Sequence, residues 1–528
     1  MLDFLLNLLK LYGMKESNSL SLTILVIATT IISVVLGILF DEKASLLGIL
    51  AVPAMVASFI HPRLGLLALL IYLPLSNTVT FAVVRVFQVK GNFIGEEPSY
   101  ALYKIAKDAF YLPALAAILI KTKTFKQLSP QIKPFLLTAL ILLAISLITF
   151  LFVNLPQGSI AVGIVGLKTI FGYIPLILCG YYLIEQKRDL FVVNRLLIVM
   201  ILVCCSLALI QYFLLLQGIC HDSEFFNQLE VSAPKSDTQF YPDITAKASL
   251  KAQCFVGGSV LYNPDRGLIR LPGTFSDPWQ WGWFLVSSSV ISYAASFSDP
   301  QKRWRVAGWV AIVLVFLATL VSGQRLPFLL VPLFYLVLFI ATSKNKQKLP
   351  LKLVIVAMLS LLAVMLIPFI RERGLNFIGR WLYSSPIDFV GNQMQWALRY
   401  LQLFGFGLGT ATTGARHIVG EDGIRLIETY YAKLIYEIGI VGFIAFMALV
   451  TILCILTFKA YLKVKNPALK HWGLCIWIFI LFISYNPYYY PLSVEPVSVY
   501  YWLFAGILLK LPEISDKLED EAGFDQKN

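Results

Sequence analysis

Polar residues punctuate this chain rather than alternating with apolar ones. Apolar runs of about 17–25 residues recur along it, each long enough to cross a bilayer as a helix. They fall at 20–40, 44–60, 64–84, 105–120, 134–154, 166–185, 196–217, 279–298, 306–322, 326–343, 351–370, 434–458, 472–486 and 496–509. The fourth is short, and its helix has to reach back through Lys104, Lys107 and Asp108. The pattern predicts an all-α, polytopic integral membrane protein of about 12–14 transmembrane helices, one membrane domain over 1–528. A β-barrel would instead show alternating segments of about ten residues. Leu2, Leu5, Leu9 and Tyr12 share one helical face, which predicts a short interfacial helix over 1–13. No small-residue cleavage site follows the first apolar run, so that run is expected to stay as an anchor.

Composition agrees: 58% of residues are hydrophobic and 14% charged, against about a quarter charged in soluble domains. The net charge of +13 does not point to nucleic acid, because lysine and arginine crowd alternate loops: 121–133, 186–195, 299–305, 343–352 and 459–470. The loops 155–166 and 486–496 carry neither residue. The positive-inside rule makes the rich set cytoplasmic. Both termini are then expected inside, with the acidic tail over 511–528 solvated in the cytoplasm. Two long polar segments, about 218–278 and 371–433, face outward.

Arg325 is the one charged residue between Val306 and Ser343, where one apolar run ends and the next begins. At that outer rim it either anchors a helix end or meets an anion. The stretch RLPGTFSDPWQWGWF at 270–284 places Arg270 before a turn and a helix start at Asp277-Pro278. An arginine near a helix N-terminus suits a phosphate. Trp279, Trp281 and Trp283 are most simply an interfacial belt. The second segment holds Arg371, Arg373, Arg380, Arg399, Arg416 and Arg425, a set that either touches headgroups or binds an anionic ligand in bidentate fashion. GFGLG at 405–409 lacks a βαβ context and is read as a flexible turn. Glu437 lies inside an apolar run and needs a partner, for which Lys433, one turn away, is the obvious candidate. His61, His221, His417 and His471 are scattered, so no metal site is expected. Tyr430, Tyr431, Tyr436 and YNPYYYPL at 485–492 are either interface tyrosines or platforms for sugar rings.

Over about 160–450 the chain resembles the O-antigen ligase and polymerase superfamily of bacterial inner-membrane glycosyltransferases. Arg325–Leu329 is similar to that family's arginine-x3-leucine pattern. The family's His-Asn, nine residues, Gly, two residues, Gly has its spacing here in E-T-(YYAKLIYEI)-G-I-V-G, 428–442. Its long outer loop resembles 371–433, with G-R-W at 379–381 and GFGLGTA at 405–411, and RLPGTFSDP at 270–278 is similar to another of its stretches. Glu428 and Thr429 stand where the family has histidine and asparagine. That departure weighs against a ligase and towards a polymerase, since glutamate can also take a proton from a hydroxyl.

The resemblance implies a reaction outside the cytoplasmic leaflet, in the bacterial inner membrane. The donor is a polyprenyl-diphosphate-linked oligosaccharide, and another such lipid-linked glycan is the acceptor. It implies Glu428 as base, with Arg325 as a catalytic and diphosphate-binding residue beside Arg380 and Arg270. It implies no metal and no cofactor. The expected partners are membrane lipid, the lipid-linked glycans and other polysaccharide-export proteins, and not nucleic acid. A ligase with a different acceptor and a membrane transporter are the alternatives; a transporter would show broken helices with polar groups near the midplane.

Cys179, Cys204, Cys205, Cys454 and Cys475 lie in apolar runs, as core packing residues do. Cys220 and Cys254 share one outer loop, where an oxidising compartment favours a disulfide. The expected outcome is a gel shift of the isolated protein on reduction; two free thiols there would refute the pairing.

Overall fold

The computed structural model describes residues 29–36, 38, 42–86, 107–121, 129–217, 250–252, 260–263, 268–275, 277–343, 347–415 and 425–525. The expected helix at 1–13, Cys220 and Cys254 lie outside these residues. The chain forms two compact units, 1–127 and 128–528. In the first, α1 (Glu42–Ile60), α2 (Pro62–Val86) and α3 (Asp108–Lys121) pack on one another. Leu66, Leu69, Leu70 and Leu73 recur at helical spacing and are buried.

The second unit begins with α4 (Lys133–Thr149), which runs on through a π-helical turn at Phe150–Asn154. There follow α5 (Ile160–Phe171), α6 (Leu176–Leu183) and α7 (Lys187–Leu216). Three short strands, β1 (Leu250–Ala252), β2 (Val260–Asn263) and β3 (Leu268–Arg270), make an antiparallel sheet in chain order. Then come α8 (Pro278–Ser298), α9 (Lys302–Val321), α10 (Arg325–Thr342), α11 (Leu349–Leu366), α12 (Pro368–Tyr383) and α13 (Pro386–Arg399). The last three helices are α14 (Tyr430–Lys463), α15 (Pro467–Tyr485) and α16 (Val497–Asp525).

Among the described residues, eight helical stretches are long and apolar enough to cross a membrane. Large apolar side chains such as Leu137, Ile141, Val313 and Ile444 stay exposed on them, as lipid-facing residues do. The protein is an all-α polytopic membrane protein with one small sheet.

Three expectations change in detail. The span predicted over 166–185 is two helices, α5 and α6, interrupted at 172–175 where Pro175 brings no N–H. The segment 371–433, expected as loop, contains α12 and α13; α13 opens on Pro386, with Ser385 Oγ accepting from the Ile387 and Asp388 amides. The tail is no loose extension. Helix α16 continues to Asp525, and Ile514 and Ser515 are buried. Ser515 Oγ accepts from the amides of Lys465 and Asn466 at 3.2 and 3.0 Å, while Tyr181 and Lys510 both bond Glu513.

Helix α8 is the hub. Nearly every residue from Trp281 to Ser296 is buried, and the helix packs on α9, α10 and α15. Most of its serines bond carbonyls one turn back, Ser287 to Trp283 and Ser298 to Ala294 among them, so they fill a crowded interior with their hydroxyls paired; Ser288 Oγ is the exception, buried with no partner among the described residues. Small residues let backbones approach closely, which is how helices gain packing energy where lipid is as apolar as leucine. Arg195 of α7 holds Asp299, at the end of α8, through two bonds of 2.8 and 2.9 Å.

Helix α14 is broken at Gly439, whose φ of 69° and ψ of −175° are not helical. An intact helix would bond the Ile440 amide to the Tyr436 carbonyl and the Val441 amide to that of Glu437. Instead the strap after α13 takes all four groups. Phe406 N–H donates to Tyr436 O at 2.8 Å and Gly407 N–H to Glu437 O at 3.2 Å. Ile440 N–H donates to Gln402 O at 3.0 Å and Val441 N–H to Leu403 O at 3.4 Å. From the other side, Asn154 brackets Leu408, accepting from its amide at 2.8 Å and donating to its carbonyl at 3.0 Å. Gly405, Gly407 and Gly409 all have positive φ, so GFGLG is a pinned strap and not a flexible turn.

A Cβ on Gly439 would lie 2.3 Å from the Leu403 carbonyl oxygen. Gly439→Ala is therefore expected to cost roughly 3–5 kcal/mol, from strain plus overpacking. Gly374→Ala on α12, with open space around it, is expected to be near neutral. Thermal unfolding of both variants in detergent checks the contrast.

Candidate functional site

Arg270 ends β3, and Arg325 is the first residue of α10. Chain direction alone brings both to one end of the second unit, since α8 leaves that end and α9 returns to it. The register of the sheet pairs Arg270 with Leu261, and the Leu271 amide bonds the Ser322 carbonyl at 3.1 Å. That bond ties the two arginine-bearing segments together. Arg270, Gln324, Arg325, Trp283, Tyr488 and Tyr489 line a partly open cleft.

The cleft is rich in donors. Arg325 Nη1 donates to the Ser384 carbonyl, between α12 and α13, at 2.6 Å. Arg270 Nε and Gln324 Nε2 are buried and have no hydrogen-bond acceptor among the described residues. Gln324 is the N-cap of α10, yet its side chain does not cap the helix. Burial lowers the pKa of Arg270, and Arg325 adds to that, while Tyr489, Tyr488 and Glu428 oppose it. Burial and the carboxylate of Glu428 raise the pKa of Tyr489. Tyr488 is raised chiefly by burial, with Tyr489 second. Glu428 thus lies within electrostatic reach of Arg270 and of both phenols.

Glu428 lies two residues before the first residue of α14, next to the N-cap Thr429, and two contacts hold that point. Gln393 of α13 accepts from the amides of Glu428 and Thr429 at 3.0 and 2.9 Å. On the other side Thr429 forms an antiparallel bridge with Tyr488, and the Tyr430 amide bonds the Pro487 carbonyl at 2.8 Å. The arrangement offers two cations for an anion, a carboxylate nearby and neutral donors between them.

The predicted residues separate accordingly. Arg270, Arg325 and Glu428 come together. Arg380 stands on α12, and its side chain is outside the described residues. Arg373 is committed elsewhere, bonding the Tyr212 hydroxyl at 3.0 Å. Trp281 and Trp283 are fully buried, and Trp281 stacks on Phe284, so they are core walls and not a belt; Trp279 lines the cleft. Glu437 is in electrostatic contact with Lys433, as expected, but takes its hydrogen bonds from elsewhere. Its Oε1 accepts from the Ala411 amide and the Thr412 hydroxyl at 2.9 and 2.8 Å, while Lys433 Nζ lies 5.8 Å from the Tyr490 ring centroid.

Gln393, Gln324, Tyr488 and Tyr489 are the residues that sequence reasoning did not single out by role. The tyrosines at least stood out as a cluster; the two glutamines gave no signal. Gln393→Ala should leave the Glu428 and Thr429 amides unpaired, at a cost of about 2–4 kcal/mol. Hydrogen exchange at those two amides is expected to quicken at least about ten-fold.

In comparisons with known proteins, no protein-family model matches the chain and no curated protein is similar to it.

Proposed function

We propose that the protein is a polysaccharide polymerase-type glycosyltransferase of the bacterial inner membrane. It joins polyprenyl-diphosphate-linked oligosaccharide repeat units on the outer face, with both termini cytoplasmic. The observation that carries this reading is the convergence of Arg270 and Arg325, from separate segments, in one cleft with Glu428 in electrostatic reach. Guanidinium groups suit phosphate oxygens in number and geometry, and donors already in place stabilise charge without reorganising.

In the proposed reaction a hydroxyl of the acceptor glycan attacks the anomeric carbon of the donor. Glu428 takes the hydroxyl proton as the new C–O bond forms. The bond from the anomeric carbon to the diphosphate oxygen breaks, and the polyprenyl diphosphate leaves with its charge on Arg325 and Arg270. Arg380 is the further candidate for that clamp.

A ligase would use the same donor chemistry with a different acceptor. The break in α14 beside Glu437 is of the kind a transporter would show, but the carbonyls of Tyr436 and Glu437, which an ion would otherwise meet, accept from the strap.

The test is the size distribution of lipid-linked and released glycan in a deletion strain complemented with wild type, Arg325→Ala or Glu428→Gln. Polymerase predicts that long chains vanish and single lipid-linked units accumulate in both variants at unchanged protein level. Long chains retained on the lipid carrier would identify a ligase. An unchanged profile in the deletion itself, with no second polymerase active, would overturn both readings.

A further inference from the structure

Tyr489 and Tyr490 have backbone φ of 50° and 32°. Residues other than glycine rarely adopt such values, and they persist only where the surroundings hold them. Here they are held from three directions. Trp283 Nε1 donates to the Tyr489 carbonyl at 3.2 Å. The bridge between Thr429 and Tyr488 fixes the preceding residue. The Phe389 ring of α13 lies 5.8 Å from that of Tyr488 and 6.0 Å from that of Tyr489.

The consequence of this turn is direction. Tyr489 lines the arginine cleft with Arg270 and Arg325, and Glu428 also acts on it electrostatically. Burial and Glu428 keep its phenol protonated at neutral pH, so it enters the cleft as a donor. A neutral donor adds a hydrogen bond for an anion without adding to the repulsion between the two guanidinium groups.

Resting on the reading of the cleft given above, we propose that Tyr489 is a ligand-binding residue: its hydroxyl donates to a phosphate oxygen of the diphosphate that Arg270 and Arg325 hold. The left-handed turn at Tyr489 and Tyr490 aims it. The chemistry recognised is a diphosphate, whether free or as the head of a polyprenyl lipid.

The experiment titrates the full-length protein in neutral detergent with inorganic pyrophosphate and, separately, with farnesyl diphosphate, by calorimetry. Wild type, Tyr489→Phe and Arg325→Ala are compared. Phenylalanine keeps the ring contacts and loses only the hydroxyl. Affinity is expected to fall about ten-fold or more, as for a lost bond to a charged group, with the melting temperature unchanged. Loss confined to farnesyl diphosphate supports a lipid-borne ligand; equal loss for both probes supports recognition of the head group alone. If Tyr489→Phe binds as wild type does while Arg325→Ala loses both probes, the role of Tyr489 is overturned and the arginine cleft stands. If wild type binds neither probe, or Arg325→Ala binds equally well, the cleft reading fails and this inference with it.

Discussion

The strap threaded through the break in α14 is the constraint on which the site depends. A backbone group left without a partner in a bilayer costs several kcal/mol, so a helix breaks there only if another segment takes up what it releases. Gln402, Leu403, Phe406 and Gly407 do so, group for group. Fixing the strap fixes its neighbours. Helix α13 ends at Arg399, just before the strap, which puts Gln393 under the start of α14. Beyond the strap, Glu437 holds Ala411 and Thr412, and the Arg425 amide bonds the Thr410 carbonyl at 3.0 Å. Glu428 is thereby located from both of its chain directions, by bonds made largely to backbone.

The cleft has the opposite character. It concentrates charge where folding alone would disperse it. Arg325 stands at the first position of α10, where the helix dipole is positive and a cation is disfavoured. Arg270 is half-buried beside it, and its buried Nε has no hydrogen-bond partner among the described residues. Glu428 and the phenols offset part of this, and an anion would offset the rest. On the function proposed above, two cations held within fixed walls would stabilise a charged ligand without reorganising.

Sequence patterning revealed what depends on bulk hydropathy and missed what depends on pairing. The apolar runs located most helices, because a bilayer imposes their length directly. Arg270, Arg325 and Glu428 were visible as polar groups at run ends. Helices α12 and α13 were not, since amphipathic helices carry no long apolar run. The tryptophans were misplaced because burial against Phe284 and location at an interface leave the same residue type at the same helix end. Helical spacing made Lys433 visible as an electrostatic neighbour of Glu437, but the donors that bond its carboxylate come from a strap remote in the chain. Gln393 and Gln324 could not be read at all, for a glutamine's role lies wholly in which amide or carbonyl stands opposite it.

The interval between Glu428 and Gly439 follows from the same geometry. Helix α14 above its break covers about nine residues, or roughly 13 Å at 1.5 Å per residue, near half the thickness of a hydrocarbon core. Its lower end is fixed by the strap and its upper end by Gln393 and the bridge to Tyr488. One residue more or fewer between them would turn the upper end by about 100° and carry Glu428 away from the arginines. The glycine and the glutamate are thus two ends of one rod: the first determines where the rod begins and which way it faces, and the second uses that facing. A spacing that looks like a chemical motif is, on the backbone, a rule about rotation.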